Sequence, residues 1–117
     1  MLAQTNRLTR KRDFDRVFQA ERPIHHQLLS LRAAPNELNQ VRVGIICGKQ
    51  LGGAVMRNRA RRRLREAVRS LLPVTPPAWD ILVVIRPPGA KATVAEFVYA
   101  LEELLRRRGL AAEAQKR

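Results

Sequence analysis

The segment from Met56 to Arg69, MRNRARRRLREAVR, constrains the possible folds of this chain more than any other. Arginine occupies six of the nine positions from Arg57 to Arg65, and charges this dense repel one another unless the segment is anchored. A helix supplies the anchor, because apolar residues three or four positions apart share one of its faces. These apolar positions are Ala60, Leu64, Ala67, Val68 and Leu71. We therefore predict a helix over about Ala54 to Leu72 that packs on a sheet through this stripe.

The other face of the predicted helix is basic, with Glu66 as its one acidic interruption. Opposite the apolar stripe lie Asn58, Arg61, Arg62, Arg65 and Arg69, with Arg59 and Arg63 along one edge and Arg57 near the other. A solvated face usually mixes charge signs, and a membrane-surface helix needs a broader, bulkier apolar face, so neither alternative fits well. A planar guanidinium holds a phosphate through two hydrogen bonds and stacks on bases. We therefore interpret this face as a surface for nucleic acid and expect no membrane partner.

The composition fits a single basic domain. With 117 residues, of which 45% are hydrophobic, we predict one domain over residues 1–117, with flexible ends at 1–6 and 111–117. The net charge of +13 favours a polyanionic partner. No apolar run reaches the length of about 20 residues that a membrane-spanning helix needs. The lone cysteine, Cys47, cannot form an internal disulfide, so we expect a cytoplasmic location.

The remaining segments predict an α+β fold. A first helix is predicted over about Thr9 to Gln19 with Thr9 as its cap, and strands over Gln27–Ala33, Val41–Cys47 and Asp80–Arg86. The last of these strands is apolar on both faces, which favours a central place in the sheet. The order α-β-β-α-β-α, with room for one more short strand before Gln27, predicts a two-layer α/β sandwich in which helices pack on a small mixed sheet.

The final helix has the clearest local signals. Thr93 and Glu96 have the spacing of a capping box, in which each side chain satisfies a free backbone N–H of the first turn. Gly109 is a typical stop. Between these limits the predicted apolar stripe consists of Val94, Phe97, Val98, Leu101, Leu104 and Leu105.

The stretch from Ala54 to Glu66, AVMRNRARRRLRE, closely resembles the arginine-rich RNR segment of the bacterial ribonuclease P protein family. Further similarity extends from about Arg7 to Gly109. The residues that carry it include the first-helix pattern from Asp13 to Phe18, the triplet RVG that ends at Gly44, and Asp80 followed by an apolar strand and Arg86.

This resemblance implies a fold and a function. Proteins of the family bind a large catalytic RNA, and the pair removes the 5′ leader from precursor tRNA. The RNA performs the hydrolysis with Mg²⁺ that it mainly binds itself, so the resemblance implies no catalytic side chain and no metal ligand on the protein. The implied partners are the catalytic RNA and precursor tRNA, with no stable DNA partner. The implied fold is a sandwich whose βαβ crossover is left-handed, against the general rule.

The resemblance also assigns residues. By position, the side chains that face the catalytic RNA are Arg57, Asn58, Arg59, Arg61, Arg62 and Arg65, and the basic face adds Arg69. Lys49 matches a lysine of the family's glycine loop. Phe14 and Phe18 match aromatic positions in the cleft that holds the single-stranded leader, although plain core packing is the alternative for each.

Two departures from the family pattern affect these assignments. The glycine loop here has Gly48, Gln50 and Gly53 where the family often has serine, a second lysine and asparagine. The strand predicted at Gln27–Ala33 has leucines where the family often has an aromatic residue. We therefore expect the cleft to use aliphatic contacts and backbone groups.

Other candidate sites are weak. His25 and His26 are adjacent but have no third ligand in the sequence nearby, and Cys47 is expected to be an inert buried thiol. The scattered acidic residues form no cluster suited to two-metal nuclease chemistry. A structural ribosomal protein and a DNA-binding regulator remain alternatives, although no short helix precedes the arginine helix as in a helix-turn-helix.

Overall fold

The computed structural model describes residues 6–20 and 22–110. Of the ends predicted to be flexible, all but Asn6 lie outside these residues. The helices are α1 (Lys11–Ala20), α2 (Ala54–Leu71) and α3 (Val94–Arg108). The strands are β1 (Ile24–His25), β2 (Leu29–Pro35), β3 (Arg42–Cys47) and β4 (Trp79–Ile85). The predicted α+β class and element order are confirmed, and β1 is the additional short strand.

The four strands form one mixed sheet in the order β1-β2-β4-β3. Strand β4 is central, as its apolar sequence predicted, and pairs antiparallel with β2 and parallel with β3. The parallel pair is joined through α2, so β3, α2 and β4 form the βαβ unit. The left-handed sense of this crossover stays a prediction from the resemblance.

Helices α2 and α3 pack on one face of the sheet, and α1 packs on the other. The core between the sheet and the two helices takes alternate strand residues, such as Leu31, Val43 and Val83, together with Leu64 and Phe97. A smaller cluster on the other face consists of Leu8, Val17, Ala34 and Leu82, with Phe14 packed against it. Because α1 is short, it covers only part of that face.

Helix α3 has the predicted limits. The Thr93 hydroxyl accepts from the Glu96 backbone N–H at 3.1 Å, and the Glu96 carboxylate accepts from the Thr93 N–H at 2.8 Å. Gly109 ends the helix with a φ of 81°, a left-handed conformation that favours glycine. Both the capping box and the glycine stop are thereby confirmed.

Two predicted element starts were wrong. Helix α1 begins at Lys11, and the carbonyl of Arg10 accepts its first hydrogen bond from the Phe14 N–H at 3.1 Å. The cap position is therefore Arg10 and not Thr9. Strand β2 begins at Leu29 because the preceding residues form a turn, closed by the hydrogen bond from the His26 N–H to the Leu29 carbonyl at 2.8 Å.

A buried carboxylate at the start of β4 joins four parts of the fold. Asp80 has no exposed surface. It accepts hydrogen bonds from Arg42 of β3 at 2.7 and 2.8 Å, from the Asn36 amide at 2.8 Å, and from Arg16 of α1. Burial alone raises the pKa of this carboxyl, but the hydrogen bonds from Arg42 and Asn36 and the charges of Arg42 and Arg16 outweigh it. The pKa of Asp80 therefore lies below its ordinary value, which means that folding favours the ionised form.

We predict that Asp80→Asn lowers the free energy of unfolding by about 3 kcal/mol, because it removes the main anionic partner of the half-buried Arg42 guanidinium and leaves only the longer ion pair with Asp13 at 3.5 Å. Urea denaturation at neutral pH measures the effect. Asp15→Asn is the matched control, since Asp15 pairs with Lys11 at the surface and its loss is expected to have little effect. Equal destabilisation by the two substitutions would contradict the role assigned to Asp80.

The lowered pKa of Asp80 also gives an expected pH dependence of the folding stability. A carboxyl with a lowered folded-state pKa contributes stability that is fully present above the unfolded-state pKa of about 3.9. That contribution is lost as the pH falls through the folded-state pKa. The stability difference between the native chain and Asp80→Asn is therefore expected to shrink below about pH 4. Many proteins lose their native packing in acid, so about pH 2 to 3 is taken as the lower end of the measurement. A difference that stays constant down to that pH would contradict the expected pH dependence.

Candidate nucleic-acid interface

The apolar stripe of α2 is buried as predicted. Its five members, Ala60, Leu64, Ala67, Val68 and Leu71, are all 7% exposed or less. The helix begins after Gly53, and Cys47 of β3 lies under its first turn, with its sulfur 3.8 Å from the Arg57 carbonyl oxygen. Docking of the stripe on the sheet fixes which arginines face away from the protein. Cys47 itself packs against the core but is only partly buried, whereas the sequence led us to expect a buried thiol.

The arginines on this helix are not equivalent. Arg63 donates to the backbone carbonyls of Ala92 at 2.7 Å and Ala90 at 2.9 Å, so it ties the helix to the loop after β4. Arg69 forms an ion pair with Glu66 one turn earlier. Arg61 donates to the Asn58 side chain at 2.8 Å, which orients that amide on the exposed surface.

A cluster of like charges forms where the N-terminal segment meets α2. We define the arginine cluster as Arg7, Arg61, Arg62 and Arg65. Arg7 is held beside the sheet by a β-bridge to Val43, in which the Leu8 N–H donates to the Val43 carbonyl at 2.9 Å. Burial lowers the pKa of Arg65, and the neighbouring charges of Arg61, Arg7 and Arg62 lower it further. Arginine remains protonated at neutral pH even so, so the cluster is a concentrated positive charge suited to phosphate.

Two further arginine donors are available at this surface. The Nε atoms of Arg7 and Arg57 are buried without a hydrogen-bond partner among residues 6–20 and 22–110. Buried donors are normally satisfied, but these covered Nε atoms are closed to an external acceptor, which would bind the terminal N–H groups of the same two side chains. Arg7 was missed in the sequence because it lies in the segment before α1, where no helical or strand periodicity shows its direction.

The glycine loop before α2 presents Lys49 to solvent. Residues Lys49–Leu51 form one turn of 3-10 helix in which Leu51 is buried and Lys49 is exposed. Gly52 has a φ of 127°, a conformation that L-residues rarely adopt. The turn thus fixes the direction in which the chain enters α2, and Lys49 stands near the first turn of that helix.

The face of the sheet beside α1 forms an open cleft. Its floor consists of neighbouring residues from three strands, and Ser30, Val84 and Ile46 lie side by side in the strand register. Phe18 of α1 stands at its edge and is 41% exposed. Phe14, one turn earlier, is half-buried and packs over Gly44 and Leu82. Phe18 is therefore accessible to a ligand, while Phe14 forms part of the wall.

The leucines of β2 do not point their side chains into this cleft, although Leu31 contributes to its lining. Leu29 and Leu31 point into the core between the sheet and α3, and both are 1% exposed or less. Since side chains alternate along a strand, the cleft receives Ser30 and Arg32 instead. The expected aliphatic lining is therefore supplied by Leu82 and Val84 of β4 and not by the side chains of the β2 leucines. The guanidinium carbon of Arg32 lies 4.2 Å from the centre of the Phe18 ring.

The two histidines have structural hydrogen bonds. The Nδ1 atom of His25 lies 2.8 Å from the Ser30 hydroxyl oxygen, and His26 Nδ1 accepts from the Leu28 N–H at 3.0 Å. Within the described part of the chain, no three His, Cys, Asp or Glu side chains come close enough to hold a metal ion. No helix among the same residues is long and apolar enough to cross a membrane.

The fold and these two surfaces define a class of small α+β proteins in which an arginine-rich helix crosses over between parallel strands. Comparison with known proteins identifies the family. The family model described as Ribonuclease P matches residues 2–109. The chain belongs to the bacterial ribonuclease P protein family, which confirms the resemblance seen in the sequence and implies a role in tRNA 5′ processing.

Individual relatives agree with this assignment. The chain is 41% identical over 105 residues to the ribonuclease P protein component of Roseiflexus castenholzii, covering 89% of this chain and 86% of that protein. It is 48% identical over 87 residues to the component from Chloroflexus aggregans, covering 74% of this chain and 64% of that one.

Solved structures share the fold. The RNase P protein of Staphylococcus aureus superimposes with a TM-score of 0.81 at 27% identity, covering 91% of this chain and 97% of that one. The RNase P protein of Thermotoga maritima superimposes with a TM-score of 0.77 at 27% identity, covering 86% of this chain and 96% of that one.

We predict that Gly44→Ala distorts the cleft wall. An added Cβ would lie 2.8 Å from two ring atoms of Phe14 and 2.9 Å from Leu82 Cδ2, so overpacking is expected to lower the free energy of unfolding by about 1–3 kcal/mol. Phe14→Leu removes the clashing ring, and in a double-mutant cycle its cost is expected to be smaller in the Gly44→Ala background.

Gly53→Ala is the control for that cycle, because an added Cβ there meets no atom within 4 Å. We expect Gly53→Ala to lower the free energy of unfolding less than Gly44→Ala does. Its cost is expected to be the same with and without the Phe14→Leu substitution. Strictly additive effects of Gly44→Ala and Phe14→Leu would show that the ring does not lie over Gly44.

Proposed function

We propose that this chain is the protein subunit of a ribonuclease P ribonucleoprotein, which removes the 5′ leader from precursor tRNA. In this proposal the catalytic RNA breaks the bond, and the protein holds that RNA with α2 and the leader with the cleft beside α1. The observation that carries the proposal is the pairing of these two surfaces on one sheet. The arginine face of α2 lies on one side of the sheet, and the cleft with its exposed Phe18 lies on the other.

The arginine face is suited to the backbone of a folded RNA. Its proposed contacts are Arg57, Asn58, Arg59, Arg61, Arg62 and Arg65, extended by Lys49, Arg69 and Arg7. Like charges this close destabilise an isolated helix, and phosphate groups relieve that repulsion while displacing their counterions. Six to eight such contacts would give a slope of log K against log salt of roughly −5 to −7.

The cleft is suited to an unpaired strand. A single-stranded leader exposes base faces and phosphates, and both can be held by a surface that combines an aromatic ring with a cation. Phe18 and Arg32 supply that combination at the edge of the cleft, while Phe14 and Gly44 shape its wall. Duplex RNA is too wide and too stacked to use such a site, so the cleft favours the leader over the tRNA body.

The proposal places Mg²⁺ on the RNA. Asp80, the one fully buried carboxylate among the described residues, is already bound to two guanidinium groups and is therefore not free for Mg²⁺. Bound by RNA phosphates, Mg²⁺ would activate the attacking water and stabilise the developing charge. The part of this chain is to bind, to position the leader and to lower the repulsion between the two RNAs.

Reconstitution tests the proposal. Purified chain, a bacterial ribonuclease P RNA and 5′-labelled precursor tRNA are combined at Mg²⁺ concentrations too low for the RNA alone. We expect correct 5′ cleavage only when the chain is added. Lack of stimulation across the Mg²⁺ range, with the RNA alone active at high Mg²⁺, would overturn the proposal. Stimulation by an equal charge of polylysine would overturn it too.

We predict that Arg62→Ala weakens binding of the catalytic RNA about tenfold, because it removes a charged hydrogen bond to phosphate. It should also reduce the magnitude of the salt slope by about one. Filter binding over a salt series measures both. Arg106→Ala removes the same charge from the exposed last turn of α3 and is expected to leave the slope unchanged. Equal slopes for the two variants would mean that Arg62 does not contact phosphate.

A further inference from the structure

Arg32 is a charged side chain within the cleft beside α1. It lies on β2 directly opposite Leu82 of β4, so its side chain rises from the cleft floor beside α1. Its guanidinium carbon lies 4.2 Å from the centre of the Phe18 ring. A guanidinium at this distance is attracted to the ring face by the ring quadrupole, so Phe18 holds the Arg32 side chain in one orientation.

Arg32 has unused hydrogen-bonding capacity. Its Nε is buried and has no hydrogen-bond partner among residues 6–20 and 22–110. A guanidinium has five N–H donors in a fixed plane, and the contact with Phe18 satisfies none of them by a hydrogen bond. A buried donor without a partner costs free energy, and a ligand cannot reach this covered atom. The terminal N–H groups of Arg32 donate to no residue of the same ranges, so they are the donors that can bind acceptor atoms of a ligand.

A cavity of about 200 Å³ adjoins the guanidinium. Its lining includes Phe18, Pro23, His25, Ser30, Arg32 and Val84. The lining is mainly apolar, with polar groups supplied by His25, Ser30 and Arg32. Such a combination suits a flat, partly apolar ligand with acceptor atoms on its edge.

The stack on Phe18 also limits how a leader base can bind. One face of the ring is covered by Arg32, so a base cannot stack directly on that face. The guanidinium plane itself can stack on a base, or its edge can donate to acceptor oxygens. Both alternatives assign the contact to Arg32, with Phe18 as its support.

We propose that Arg32 is a specificity-determining residue that holds two neighbouring acceptor atoms of one leader nucleotide in this cavity. The acceptor chemistry is a pair of atoms, two oxygens or an oxygen and a ring nitrogen, each of which takes one of two parallel N–H bonds. It is supplied either by the O6 and N7 atoms of guanine or by two oxygens of a leader phosphate. This inference rests on the proposed function. It adds to that function a contact between Arg32 and one nucleotide of the leader.

The test uses the reconstituted holoenzyme and two substrate series. In one, a leader of adenine and uridine carries a single guanine at each position in turn. In the other, a single methylphosphonate replaces each leader phosphate in turn. We expect native holoenzyme to distinguish the substrates at one position about tenfold in kcat/KM. Arg32→Lys, which keeps the charge but not the fork, should abolish that difference.

The two series separate the sources of the acceptor. A position-specific preference for guanine that Arg32→Lys removes supports a base contact, and a methylphosphonate effect that it removes supports a phosphate contact. Arg106→Lys is the matched control and should leave every position unchanged. Phe18→Leu should weaken the same position as Arg32→Lys, since it removes the support of the guanidinium.

Circular dichroism and urea denaturation establish that each variant is folded before its kinetics are compared. A uniform loss across all leaders in a folded Arg32→Lys variant would show a structural role and overturn the inference. The inference would also fail if Arg32→Lys and native holoenzyme had the same profile over both series. Failure of native chain to stimulate the RNA at all would instead overturn the proposed function.

Discussion

The buried ion pairs of Asp80 hold the two functional surfaces in their relative positions. This carboxylate lies at the start of the central strand and receives hydrogen bonds from β3, from the turn after β2 and from α1. Helix α1 otherwise packs on the sheet through a small cluster centred on Val17 and Leu82. The Arg16 contact adds to that cluster, to the ion pair of Asp13 with Arg42 and to the contact of Phe18 with Arg32 in fixing the helix that carries Phe14 and Phe18. The shape of the cleft therefore depends on a charge placed outside it.

The described arginines include two groups that the sequence does not distinguish. One group binds the protein itself: Arg42 binds Asp80, Arg63 binds two carbonyls, and Arg86 donates to the His26 carbonyl at 2.7 Å. The other group, the arginine cluster, lies among like charges. Repulsion within the cluster opposes folding, while the first group offsets part of that cost by satisfying carbonyls and a carboxylate. A high net charge is thus compatible with a small, stable core.

Much of the fold was predictable because its signals are local. The capping box at Thr93 and Glu96, the stripe from Ala60 to Leu71 and the apolar run of β4 each depend on residues that are close in sequence. The start of β2 was not predictable in the same way, because the turn at His26 that delays it uses backbone hydrogen bonds. The start of α1 was missed because Thr9 is a good cap residue in isolation.

The candidate site was predictable in part. The helical periodicity of α2 separates its buried stripe from its arginine face, but it does not show that Arg63 turns back to the loop or that Arg7 joins the cluster. Those contacts arise from long-range packing. The side chains that β2 contributes to the cleft could have been predicted from the two-residue period of a strand alone. Burial of Leu29 and Leu31 on one face places Ser30 and Arg32 on the other. The position of the leucines was therefore itself a signal for Arg32.

The contact between Arg32 and Phe18 gives the cleft a different physics from that of a bare aromatic platform. An aromatic platform holds any base through stacking, which is tolerant of sequence. A guanidinium supported by Phe18 adds directed donors, which discriminate among acceptor patterns, and a charge whose attraction to phosphate falls with ionic strength. The cleft thus uses the same chemistry as the arginine face of α2, with the difference that its cation is fixed by a ring. Fixing the cation before the leader arrives reduces the entropy lost on binding, and it is this preorganisation that allows a single arginine to select one nucleotide.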